Sequence, residues 1–206
     1  MLETAIDDIE FENGEFKIVG TDRSESFKSV AQAAAPADGS ASFDEKESFA
    51  PSEATYPNGT HVCELEIDEA TGTIEVVDYT VVDDFGKTIN PLLLEGQVHG
   101  GIAQGLGQAL LENCAYDAES GQLIAATFMD YTMPRASNFP EIRFKRNEVP
   151  CLTNPLGIKG AGEAGAIGAP PAIINAVVNA LKDYGVRHVD MPVTSTKLWQ
   201  LMQSSA

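Results

Sequence analysis

Apolar and polar positions alternate most sharply between residues 61 and 84. "HVCELEID" and "TIEVVDYTVVDD" each repeat at period two, and "EATG" between them supplies a turn. This predicts two long strands in a hairpin with one solvated face. A second hairpin is predicted over 8–19, where "DIEFENGEFKIV" turns at Asn13-Gly14. Helical patterns occupy "SFKSVAQAAA" (26–35), which runs into the loop "PADGSAS" (36–42), and "NPLLLEGQVHGGIAQGLGQALLEN" (90–113). In the latter, Asn90 is placed to cap the helix, with Pro91 at its first position. A third helix is predicted from "APPAIINAVVNALKDYG", with Pro170 and Pro171 at its start and Gly185 past its end, and "VTSTKLWQLM" predicts a short capped helix near the end. Between them, "YDAESGQLIAATFMDYTMP" (116–134) predicts a turn and a strand, and the proline-bounded "PRASNFPEIRFKRNEVP" a strand at 141–146.

These elements describe an α+β fold in which an antiparallel sheet packs against helices at 91–113 and 170–183. The pattern is loose through residue 60, so the chain divides into an incomplete N-terminal segment (1–60) and a domain over 61–206. The abrupt opening into a strand pair reads as the middle of something longer. At 206 residues and 43% apolar composition, the chain can bury a sizeable core.

Charge removes some functions. Thirteen Lys and Arg against 31 Asp and Glu give a net charge of −18, a field that repels nucleic acid and acidic membrane surfaces. Acidic runs such as "DEKE" (44–47) read as solvent-exposed. Cys63, Cys114 and Cys151 lie far apart without a C-x-x-C pair, and His61 and His188 lack partners at ligand spacing. No disulfide framework, zinc site or iron–sulfur site is written here. With no basic n-region and no long apolar run, membrane insertion is not expected, and a cytoplasmic location is.

The 90–113 helix has an unusual surface. Gln97, Gln104 and Gln108 fall within about 40° of one another opposite the apolar arc of Val98, Ile102, Leu106, Ala109 and Leu110. His99 falls on the apolar arc, as a core histidine would. No Asp, Glu, Lys or Arg occurs between Gly96 and Leu111, unlike an ordinary solvated helix face, and glycines 96, 100, 101, 105 and 107 flank the glutamines. Each glycine costs a helix roughly 0.5–1 kcal/mol relative to alanine, so something is expected to approach this backbone closely.

"GAGEAG" at 160–165 matches the glycine pattern of dinucleotide-binding loops, and Asp183 sits about 20 residues on, as that motif requires. The motif also needs a buried strand directly before it, and "CLTNPLGIK", broken by Pro155, is not one. The alternative is a glycine setting for Glu163, the one acidic residue in "NPLGIKGAGEAGAIG". If buried, a carboxylate in such surroundings becomes a useful general base near neutral pH. An exposed loop with one solvating charge is the plain alternative.

"INPLLLEGQVHGGIAQGLGQALLE" together with "NPLGIKGAGEAGAIGAPPAIINAVVNAL" closely resembles the C-terminal part of the molybdopterin-binding large subunit of the xanthine dehydrogenase, aldehyde oxidase and aerobic carbon monoxide dehydrogenase family. The resemblance implies part of a molybdenum cofactor-binding domain in a molybdenum-dependent oxidoreductase. Glu163 then takes the place of the catalytic base beside the metal. Gln97 matches a glutamine lining the cofactor site, Gly162 sits against the metal centre, and Gly160, Lys159 and Gln104 neighbour the cofactor. Implied cofactors are molybdopterin, in its cytosine dinucleotide form, with molybdenum, and FAD and 2Fe-2S clusters on partner chains. Implied partners are the N-terminal part of the same subunit, the iron–sulfur and FAD subunits, and a small-molecule substrate: an aldehyde, an N-heterocycle or carbon monoxide. The chain alone is expected to be inactive. Tyr131, Arg135 and Phe139 lie in a segment that the resemblance associates with subunit contacts or cofactor surroundings. A different class of reading is a stand-alone structural or binding domain that keeps the fold without the activity.

Overall fold

A computed structural model of the chain describes residues 1–35 and 46–204. The loop expected at 36–42 and Asp44 and Glu45 of the acidic run lie outside the described residues. Two compact units meet in sequence at Ala50/Pro51.

The first unit is a three-stranded antiparallel sheet, β1 (Ile9–Glu12), β2 (Glu15–Ile18) and β3 (Ser24–Ser26), followed by α1 (Phe27–Ala34). Asn13 and Gly14 both take positive φ, which the tight turn between β1 and β2 requires. Ser26 caps α1 by accepting from Ser29 N. Phe11, Phe16 and Phe27 form a small aromatic cluster, but among the described residues of this unit Ile18 is the one apolar side chain that is buried.

The second unit is built on β4 (Asn58–Ile67) and β5 (Ile74–Asp84), the antiparallel hairpin that the alternation predicts. A register shift at Glu64/Leu65 lets Val76, and then Tyr79, Val81 and Asp83, face inward from β5. The third strand, β6 (Ile142–Arg146), pairs with β5 in parallel, so the sheet is mixed rather than purely antiparallel. That pairing carries the chain past the end of β5, where Asn147 N donates to Asp83 O and Val149 N to Asp84 Oδ1.

Helix α2 (Pro91–Leu106) starts as expected: Asn90 Oδ1 accepts from Leu93 N, with Pro91 in the first turn. It ends in a π-turn over Gly107–Leu111. Helix α3 (Ala164–Ala180) lies across α2 and β4. It begins six residues before the expected start, immediately after Glu163, so Pro170 and Pro171 are interior. Two interior prolines remove two backbone hydrogen bonds. Here Pro170 is buried against Gly105, between the core residues Ala169 and Ile173, and that packing carries the helix through.

The core joins Tyr79, Val81 and Phe85 to Val98, Ile102 and Leu106 of α2, to Ile173 and Val177 of α3, and to Leu198 and Met202 of α4 (Ser195–Ser204). The strand expected within 116–134 is only an isolated bridge, Tyr116 to Leu123. Phe128 and Met129 stand exposed there, because no strand among the described residues pairs with that run. No helix among the described residues is long and apolar enough to cross a membrane.

Candidate functional site: the glutamate between two helices

Glycine lets α2 and α3 approach closely at the start of α3. A Cβ at Gly165 would fall 2.4 Å from Val98 O, and one at Gly101 would fall 2.8 Å from Ala166 N. Backbone therefore rests on backbone, and the first turn of α3 is seated on the turn of α2 that follows Gln97. In the same place Gln97 Nε2 donates to Gly162 O at 2.8 Å, joining two segments 65 residues apart. Glu163 is the residue immediately before α3; its carbonyl accepts from Ile167 N. Its side chain is exposed and makes no hydrogen bond at the helix start. The burial that the sequence argument invokes is therefore not supplied by these residues.

The five helix glycines divide into two sets. Gly101 and Gly105 face α3, and Gly107 faces Glu112 and Pro134, so their close neighbours lie within the chain. Among the described residues, Gly96 and Gly100 have nothing within 4 Å of where a Cβ would stand, and the same holds for Gly160 and Gly162 in the loop. Gln97, Gln104 and Gln108 are exposed. The result is an open surface of small residues and amides next to Glu163.

The loop before Glu163 is fastened to the end of β5. Asn154 shapes its first turn: its side chain donates to Ile158 O and accepts from Ile158 N. Gly86 and Ile158 form a β-bridge, Lys87 N donates to Gly157 O at 2.9 Å, and Lys159 N donates to Phe85 O at 2.8 Å. Gly86 and Gly157 both have positive φ, and a Cβ at Gly86 would strike Gly157 O. Among the described residues no strand leads directly into the glycine pattern, only the single bridge at Ile158, in keeping with the rejection of a dinucleotide loop.

Lys159, expected beside a cofactor, has its ammonium on Asp84 Oδ2 at 2.6 Å, with both side chains largely out of water. Asp84 Oδ1 accepts from Gly86 N and Val149 N. Burial alone would raise the Asp84 carboxyl, but the bonds from Lys159, Gly86 and Val149 outweigh it and hold the group below the usual carboxylate range.

Beneath α3 lies a second buried polar group. His61 Nδ1 meets Tyr79 Oη at 2.8 Å, and its Nε2 lies 3.5 Å from Asp83 Oδ1. Burial, with Cys63 and Asp83 nearby, pushes the Tyr79 hydroxyl well above its ordinary value. His99 is half-buried, with Nε2 shielded and unpartnered among the described residues. Tyr131 Oη donates to Glu112 Oε2, Arg135 is exposed, and Phe139 packs on the core.

The molybdopterin cofactor-binding domain family matches residues 1–140, about two thirds of the chain. The chain belongs to this family. The matched span of this molybdopterin cofactor-binding domain includes Gln97 and Gln104 and ends before the Glu163 loop. Similarity to whole relatives extends further. The carbon monoxide dehydrogenase large chain of Hydrogenophaga pseudoflava is 35% identical over 209 residues, covering 98% of this chain and 26% of the relative. The nicotine 6-hydroxylase large subunit of Paenarthrobacter nicotinovorans is 35% identical over 207 residues, covering 96% and 25%. Among solved structures, quinoline 2-oxidoreductase from Pseudomonas putida 86 aligns with TM-score 0.78 and 37% identity over 98% of this chain and 26% of that one. The chain thus spans about a quarter of the length of these relatives.

Sequence reasoning missed Asp84, Asp83 with His61 and Tyr79, and Asn154. A signal existed for Asp83. Continuing the β5 alternation through 79, 81 and 83 places a carboxylate at a core position, and a buried charge needs a partner.

Proposed function

We propose that this chain supplies the catalytic base, Glu163, and part of the molybdopterin bed to a molybdenum hydroxylase large subunit. The reaction is oxidative hydroxylation of an aldehyde or N-heterocycle, or oxidation of carbon monoxide. The observation that carries this reading is the 2.8 Å bond from Gln97 Nε2 to Gly162 O, which brings the glutamine helix and the glycine–glutamate loop to one place.

The residues present fit a flat, polar-edged group. Gly96, Gly100, Gly160 and Gly162 leave the backbone uncovered, and the exposed amides of Gln97 and Gln104 offer donors and acceptors at its edge. When bound, the molybdenum cofactor supplies the redox centre that takes two electrons from the substrate. Gly160, Gly162, Gln97 and Gln104 would hold it, and the Glu163 carboxylate would accept a proton in the reacting step. Lys159 would act through the loop, since its ammonium is committed to Asp84.

The exposure of Glu163 in this chain accords with a site closed by the remaining three quarters of the subunit, which would exclude water from the carboxylate. By itself the chain is proposed to be inactive. The proposed assembly adds FAD and 2Fe-2S subunits, carries the cofactor in its cytosine dinucleotide form and works in the cytoplasm. The test is Glu163→Gln in the assembled enzyme: kcat should fall by about 10²–10⁴-fold with molybdenum content unchanged. Near-normal turnover would overturn the assignment of the base, and absence of molybdenum from every co-purified assembly would overturn the reading as a whole.

A further inference from the structure

The Glu163 side chain is exposed and has no hydrogen bond or ion pair among the described residues, so its direction is set by the backbone on either side. On the far side, α3 is seated on α2 through Gly165 and Gly101. On the near side are Gly160, Ala161 and Gly162, and neither glycine has a neighbour within 4 Å of a Cβ position. Ala161 packs on the core and Gly160 N donates to Thr55 Oγ1 at 3.3 Å, but the two glycines leave the run more backbone freedom than any other residue pair would. The last residue before it with a buried side-chain anchor is Lys159, and that anchor is Asp84.

We propose that Asp84 is a positioning residue for Glu163, acting through Lys159. Three segments converge on its carboxylate: the turn after β5 through Gly86 N, the run after β6 through Val149 N, and the glutamate loop through Lys159 Nζ. The carboxylate is 5% exposed and takes a donor from each segment, so it fixes where the loop leaves the sheet. Lys159 N adds a second bond, to Phe85 O, one residue along β5's exit. Three residues separate Lys159 from Glu163. The bond from Gln97 to Gly162 O then fixes the other side of the run. A shift of the loop at Lys159 would move Glu163 relative to Gln97 without altering either side chain. This inference rests on the reading of Glu163 as the base.

The test uses the assembled, cofactor-loaded enzyme. Asp84→Asn keeps an oxygen for the Gly86 and Val149 amides and removes the charge that holds Lys159; Lys159→Met removes the other partner at similar size. Each should lower kcat, by up to about a hundredfold for a displacement near 1 Å, with KM and molybdenum content little changed. The double variant should be no worse than the poorer single one. Amide exchange at residues 159–163 should quicken beyond what the change in global stability accounts for, while exchange across Tyr79–Val82 follows the unfolding free energy alone. In a Glu163→Gln background, Asp84→Asn should cost nothing further in kcat. Equal losses in both backgrounds, or unchanged exchange at 159–163 in both single variants, would overturn the proposal. If Glu163→Gln itself turns over normally, the base assignment fails, and Asp84's hold on the loop stands or falls on the exchange result alone. Should Asp84→Asn fail to assemble, Lys159→Met carries the same comparisons.

Discussion

Gly168 of α3 lies on the imidazole of His61: a Cβ at 168 would fall 2.6 Å from Cδ2 and Nε2 of that ring. The ring cannot swing aside freely, because its Nδ1 is hydrogen-bonded to Tyr79 Oη, its Nε2 lies against Asp83 and its side chain is almost wholly buried. Gly168→Ala should therefore destabilise the domain by about 1–3 kcal/mol. A lowered midpoint in thermal or urea unfolding checks this, and an unchanged midpoint would show that the ring yields without cost.

Glycines on the two sides of α2 should respond in opposite directions. Gly101→Ala drives a methyl group into the backbone of Gly165 and Ala166, at 2.8–2.9 Å, and should cost about 1–3 kcal/mol or more. Gly100→Ala meets open space and should stabilise this chain by about 0.5–1 kcal/mol through helix propensity. In the assembled enzyme the Gly100 variant should nonetheless retain less molybdenum if the cofactor lies on that surface. Metal content and unfolding midpoints together separate the two effects.

Asp84 should leave a mark on acid stability. Folding lowers its proton affinity, so the stability it contributes is complete above its unfolded value of about 3.9 and is lost as pH falls through the lower folded value. Asp84→Asn should cost about 3–5 kcal/mol at neutral pH, because it leaves Lys159 without its buried partner. Its unfolding free energy should also fall less steeply than that of the parent below about pH 4. Denaturant titrations across that range measure both.

Gln97→Ala should separate structural from functional worth. Gln97 is exposed, and its bond to Gly162 O should contribute about 0.5–1.5 kcal/mol to stability. A loss of turnover in the assembled enzyme well beyond tenfold, with a small change in midpoint, is the expected pattern. Equal small effects on both would reduce Gln97 to a clip between helix and loop.

Much of this was legible in the sequence where a single local rule decides the outcome. Alternation located β4 and β5, Asn13-Gly14 located the first turn, and Asn90 with Pro91 located the start of α2. The start of α3 was misread because proline is usual in a helix's first turn; here Gly105 makes room for Pro170 in the interior, a tertiary fact with no local trace. The parallel placement of β6 is equally non-local, since an isolated alternating segment carries no sign of its partner's direction. The glutamine stripe and the glycine–glutamate loop were visible as separate oddities. Their meeting through Gln97 and Gly162, and the grip of Asp84 on Lys159, required the fold.

Asp84 and Lys159 are 75 residues apart in the chain, and Gln97 and Gly162 are 65 apart. Neither link gives any return until a long stretch of polypeptide has been closed, and the entropy of closure rises with its length. The glycine-rich run has no local means of holding its shape in advance. The order of events in folding is thereby constrained: the β4–β5 hairpin and α2 can form early from short-range contacts, and the turn bearing the carboxylate takes its final course only when the last third of the chain docks onto them.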